Sequence, residues 1–142
     1  MKSLKTMACL VLVLMLAISA SIACGGGKYA QAKKLINKQI DMMNDYADAM
    51  EKAENAQDVA LATNAYAAAT ADLAPDMKKF QEQYPEMKDQ ADPPAELKPE
   101  MDRMQQSMGR MISASMKAAR FMSDPAVQEA QKKLGEAMSG IK

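Results

Sequence analysis

Residues 97–122 read LKPEMDRMQQSMGRMISASMKAARFM. Within this stretch Leu97, Met101, Met104, Met108, Met111, Ser115, Ala118 and Met122 follow one another in strict alternation of four and three residues. Side chains so spaced share one face of a helix. The spacing predicts a helix over about Pro99 to Met122 whose methionine-rich stripe is turned toward a core.

The same spacing recurs on both sides. From about Tyr29 to Asn55, Ile36, Ile40, Met43, Ala47 and Met50 form a stripe, widened by Leu35, Met42 and Tyr46. From about Asp58 to Tyr84 the series is Val59, Ala62, Tyr66, Ala69, Leu73, Met77, Phe80, Tyr84. From about Pro125 to Ser139 it is Val127, Ala130, Leu134 and Met138, with Ile141 just beyond. Asp58 is the expected N-cap of the second helix, its carboxylate accepting from first-turn amides. Asp124 followed by Pro125 reads as N-cap and first helical residue of the last. Pro85 and Pro93-Pro94 bracket a connection in which helix cannot easily continue. Pro75 falls inside a stripe that keeps its phase from Leu73 to Met77, which predicts a kink and not a break.

At 1.5 Å per residue the first three helices are roughly 35–40 Å long and the fourth roughly 20–25 Å. Short connections favour antiparallel neighbours, so the expected fold is all-α, an up-down bundle of three long helices and one shorter C-terminal helix. Nine alanines between Ala56 and Ala74 give the second helix a surface that lets a neighbour approach closely while burying little. Asp48 with Lys52, and Glu129 with Lys133, are acidic-to-basic pairs four apart, each worth a few tenths of a kcal/mol. Gly109 and Gly135 mark either close helix approaches or weak points in their helices.

The 142 residues include six Gly, six Pro, no Trp and two Phe, a composition that favours helix. Eighteen basic residues balance eighteen acidic ones, so the chain lacks the positive footprint of a nucleic-acid binder. There is no His, and the only cysteines are Cys9 and Cys24. Hydrolytic triads normally need His, the familiar variants need a thiol, and di-iron bundle sites need a Glu-x-x-His motif. Haem attachment needs Cys-x-x-Cys-His. The expectation is therefore a protein that is not an enzyme.

Lys2 and Lys5 precede an uncharged run from Met7 to Ala20, which ends in Ser21-Ile22-Ala23-Cys24 and then Gly25-Gly26-Gly27. A positive segment followed by an apolar stretch too short to span a membrane is the pattern of a cleavable signal. The tetrapeptide at its end resembles the lipobox of bacterial lipoproteins, in which a small residue precedes a cysteine that is acylated and becomes the new N-terminus. Ala23 and Cys24 match that pattern, while Ser21 stands where the class usually has Leu. Ser21-x-Ala23 also fits ordinary signal cleavage, which keeps simple secretion as the alternative.

The resemblance covers residues 1–27 and implies signal peptide 1–23, lipidated Cys24 with a Gly tether over 24–28, and a helical bundle domain over 29–142. Cleavage leaves 119 residues with sixteen basic and eighteen acidic side chains, and twelve of the fifteen methionines. Acyl chains on Cys24 give stable anchoring only in twos or threes. The three glycines reach only about 10 Å, so the bundle would lie close to the lipid. Lys28, Lys33, Lys34 and Lys38 then either touch anionic headgroups or form a solvated face. Gly25, with no Asp after the cysteine, implies the outer membrane over the inner one.

The expected function is a membrane-anchored, non-enzymatic cell-envelope lipoprotein whose bundle serves as an interaction or structural module. Its partners are the membrane, through the N-terminal lipid, and an envelope protein or a second copy of itself. No cofactor is expected. The alternative is periplasmic Cu(I) binding: Met101, Met104, Met108 and Met111 lie on one helical face, and thioethers are soft ligands that suit Cu(I). A third use of the same softness is a groove that adapts to apolar peptides.

Overall fold

The computed structural model describes residues 27–85 and 93–140. The expected signal segment, Cys24, Ile141 and the connection 86–92 lie outside the described residues. The chain divides into two units, residues 1–30 and 31–142. Of the first, Gly27–Ala30 forms a turn closed by the Ala30 N–H donating to the Gly27 carbonyl at 2.9 Å. Lys28 Nζ sits 5.0 Å from the centre of the Tyr29 ring.

The described residues are all-α. Helix α1 spans Ala30–Lys52 and α2 spans Ala56–Gln83. A 3₁₀ turn, Ala95–Leu97, leads into α3, Lys98–Ala118. A second 3₁₀ turn, Ala119–Phe121, precedes α4, Pro125–Ser139. Among the described residues no helix is long and apolar enough to cross a membrane.

The helix starts have local causes. Asp124 accepts from the Ala126 N–H at 2.9 Å, and Pro125, whose missing N–H costs nothing there, opens α4 as expected. At α2 the cap moves three residues upstream of Asp58. Asn55, with φ −142° and ψ 173°, is the N-cap and accepts from the Asp58 N–H at 3.0 Å. Asp58 reaches back instead to the Glu54 N–H at 3.1 Å. The two side chains thus satisfy donors on either side of the helix start, a reciprocal arrangement like a capping box. Helix α2 continues through Pro75, and Leu73 on its near side is buried.

Side-chain bridges fix the directions. Tyr46 of α1 meets Tyr66 of α2, and Lys38 pairs with Asp76 at 3.7 Å, so numbers that fall along α1 rise along α2. These two helices are antiparallel. Lys33 pairs with Glu100 at 3.6 Å, Asn37 accepts from Arg103, and Asp48 and Glu51 meet Arg110. Here the numbers rise together, so α3 runs along α1 in parallel. Helix α4 packs along α2, its Val127 and Ala130 joining Val59, Ala60 and Ala62 in one cluster. Both helices start at that cluster and so run the same way. Alternating direction along the chain is as expected, but each helix pair is also bound side by side to a parallel partner.

The core is densest where α1 and α3 end and α2 and α4 begin. Tyr46, Ala47, Met50, Val59, Ala114, Ala118, Val127 and Ala130 meet there. On α1 the buried set Ile36, Ile40, Met43, Ala47 and Met50 is the expected stripe. Helix α2 buries two adjacent rows, because it faces α1 on one side and α4 on the other. The second row includes Thr63 and Thr70, whose hydroxyls donate to the carbonyls of Val59 and Tyr66, both at 2.8 Å. Bonded back in this way, a threonine enters a core without an unpaired donor.

Candidate functional site

Helix α3 departs most from its sequence pattern. Among its described residues Ser107, Ala114 and Ala118 are buried, following Leu97 in the preceding turn. Of the methionine stripe, Met101, Met104 and Met111 are half-buried and Met108 is 44% exposed. The stripe is therefore not the fully buried seam its spacing predicts. A repeat of 3.5 residues drifts about 20° per heptad on a straight helix of 3.6. In addition α3 places small side chains at the contact centre, leaving the long thioethers to flank it.

The face of α3 turned away from the bundle is apolar in one row. Met108, Ile112 and Met116, each four residues from the last, are 44%, 54% and 73% exposed. Half-buried Met104 extends the row toward the start of the helix. Beside it runs a second row, Gln105, Gly109 and Ser113, all exposed. A Cβ added at Gly109 would meet nothing within 4 Å, so this row is an open groove next to a ridge. Between Met104 and Met116 the residues named in these two rows carry no charge. Arg110 is turned to α1, where it donates to both carboxylate oxygens of Glu51 at 3.1 and 2.9 Å and also meets Asp48. Those hydrogen bonds hold its pKa above the ordinary value.

A second feature lies inside the bundle. A cavity of about 300 Å³, open on one side, is lined by all four helices. Met50, Val59 and Ala118, all nearly inaccessible, form its depth. Tyr46 and Tyr66 form one wall, their ring centres 4.8 Å apart and planes 39° to each other. Met122 and Met138, 47% and 57% exposed, stand at its mouth. Burial, and secondarily Tyr46, raises the Tyr66 hydroxyl above its ordinary value of 10.0.

The lysines near the start of the bundle have specific neighbours. Lys33 is engaged by Glu100 and Lys38 by Asp76. Lys34, Lys38 and Lys79 border a cleft of about 400 Å³ between α1 and α2, with Leu35 and Phe80 on its floor. Among the described residues no three His, Cys, Asp or Glu side chains are grouped to hold a metal ion. Sequence reasoning placed Met101, Met104, Met108 and Met111 on one face, and the structure keeps them there. Ile112 and Met116, which continue the row of Met104 and Met108 and are its most exposed members, were not singled out by the sequence pattern.

Comparison of the chain with protein-family models, with curated proteins and with solved structures finds no match.

Proposed function

We propose that this chain is an exported, lipid-anchored, non-enzymatic envelope protein whose bundle pairs with a second copy through α3. The observation that carries the pairing is the uncharged ridge of Met104, Met108, Ile112 and Met116 beside the groove of Gln105, Gly109 and Ser113. Ridges four residues apart pack into the equivalent grooves of a facing helix. In a two-fold pair the same patch meets itself, so any charge near the axis would face its own kind. A neutral ridge beside a neutral groove satisfies both demands. Acylation at Cys24 would confine copies to one surface and raise their effective concentration, which favours a small contact.

The anchor rests on the sequence Ser21-Ile22-Ala23-Cys24 after its apolar run. An absence of His and of any thiol beyond Cys9 and Cys24 supports the non-enzymatic reading. Sedimentation of the full chain, alone and with Ile112→Asp, tests the pairing. Dimer for the parent chain and monomer for the variant, with the variant still unfolding cooperatively and with unchanged helix content, is the expected result. A parent chain that sediments as monomer at all accessible concentrations overturns it.

A second reading is Cu(I) binding through Met101, Met104, Met108 and Met111, favoured by the finding that none of the four is sealed in the core. The Met104→Leu, Met108→Leu double variant separates the two. It keeps the apolar ridge and the pairing but removes two thioethers, so a copper site would lose its metal while the dimer persisted.

A further inference from the structure

The bundle has an apolar interior space that its own side chains do not fill. Near the start of α2, the rings of Tyr46 and Tyr66 occupy one side of the helix interface. Across from them Ala118 offers nothing beyond a Cβ, and Ser115 is short and occupied, its hydroxyl donating to the Met111 carbonyl at 2.8 Å. Large residues on one wall and small ones on the other leave the cavity of about 300 Å³. Well-packed interiors hold few voids larger than a water molecule, and a dry apolar cavity of about 150 Å³ already admits benzene. This space is twice that size and is lined almost entirely by carbon and sulfur.

Its mouth supports the same conclusion. Met122 and Met138 stand there exposed, and unbranched thioethers can swing aside or close over an occupant without a fixed rotamer cost. Half-buried Gln131 is the polar group among the lining residues of α4. An apolar depth with a single amide among its lining residues fits a molecule with one hydrocarbon end and one uncharged polar end.

We infer that the cavity between Tyr46, Tyr66, Met50 and Ala118 is a binding site for a single alkyl chain, with its polar end at Gln131. The site goes beyond the α3 pairing and shares no residue with the Met108–Ile112–Met116 ridge.

The test uses the full chain labelled with ¹³C at the methionine methyls and titrated with 1-octanol below its solubility limit. Saturable shifts at Met50 and Met111, with Met108 and Met116 unmoved, are the expected result. Ser115→Leu fills the cavity from its half-open side, and Ala118→Leu fills it from the depth. Each variant that keeps a cooperative melting transition should bind at least tenfold more weakly. Shifts confined to Met108 and Met116 would place the alcohol on the pairing face and overturn the inference. So would an absence of saturation, or unchanged affinity in folded Ser115→Leu.

Discussion

The ring of Tyr46 leans on that of Tyr66 across the α1–α2 interface, centres 4.8 Å apart and planes tilted by 39°. Such tilted pairs are worth about 0.5–1.5 kcal/mol beyond the area they bury. Here the pair also lines the cavity, together with the short side chains of Ser115 and Ala118. The contact that stabilises the bundle is thus also the wall of its cavity.

Burial of Tyr66 makes a prediction in alkali. Its hydroxyl titrates above 10.0 when folded and near 10.0 when unfolded. Above pH 10 the unfolded chain releases this proton first, so unfolding is favoured as pH rises toward the folded value. The contribution is fully present below pH 10 and is lost above it. Thermal melts from pH 9 to 11 should show a steeper decline for the parent chain than for Tyr66→Phe. Parallel curves would mean the hydroxyl is not buried.

The buried turn that leads into α3 and the outer face of the helix should differ in their response to mutation. Leu97 is completely buried, and Leu97→Ala should cost about 2–5 kcal/mol in urea unfolding. Met116 is 73% exposed on the single bundle, and at concentrations where the chain is monomeric Met116→Ser should change stability by less than about 0.5 kcal/mol. Comparable losses at the two positions would contradict the orientation of the helix.

Capping gives a third comparison. Asn55→Ala and Asp124→Ala each remove a side-chain acceptor for a first-turn amide and should cost about 0.5–2 kcal/mol. Asp58→Asn keeps an acceptor for the Glu54 N–H and should cost less than Asn55→Ala. A reversed order, read from denaturation midpoints, would return the cap to Asp58.

The parallel register of α1 and α3 depends in part on Arg110, which joins Asp48 and Glu51 at the surface. Exposed pairs are screened by salt. Arg110→Ala should lower the melting temperature slightly in dilute buffer and less in 0.5 M salt. An effect that does not diminish with salt would point to packing and not to charge.

Among the described residues, helix order and the α1 stripe were legible because Ile36, Ile40, Met43 and Met50 are large, apolar and regularly spaced. Thr63 and Thr70 were not, because a threonine reads as polar until its hydroxyl finds the preceding turn. Nor was the α3 contact. Its centre uses Ser107, Ala114 and Ala118, which let α3 lie close to α1, while hydropathy marks the longer methionines beside them. The alanines of α2 signalled close approach, but the cavity depends on which tyrosines face which alanines, a property of the packed bundle. The lipobox-like segment is legible in sequence alone.

The most direct measurement is a native mass spectrum of the protein extracted from its own membranes, taken for the parent chain and for Ile112→Asp. The account predicts a chain beginning at Cys24, heavier than its residues by two or three acyl groups, present as a pair in the parent and singly in the variant. An unmodified Cys24 on a single chain, identical in parent and variant, would contradict both the anchor and the pairing face.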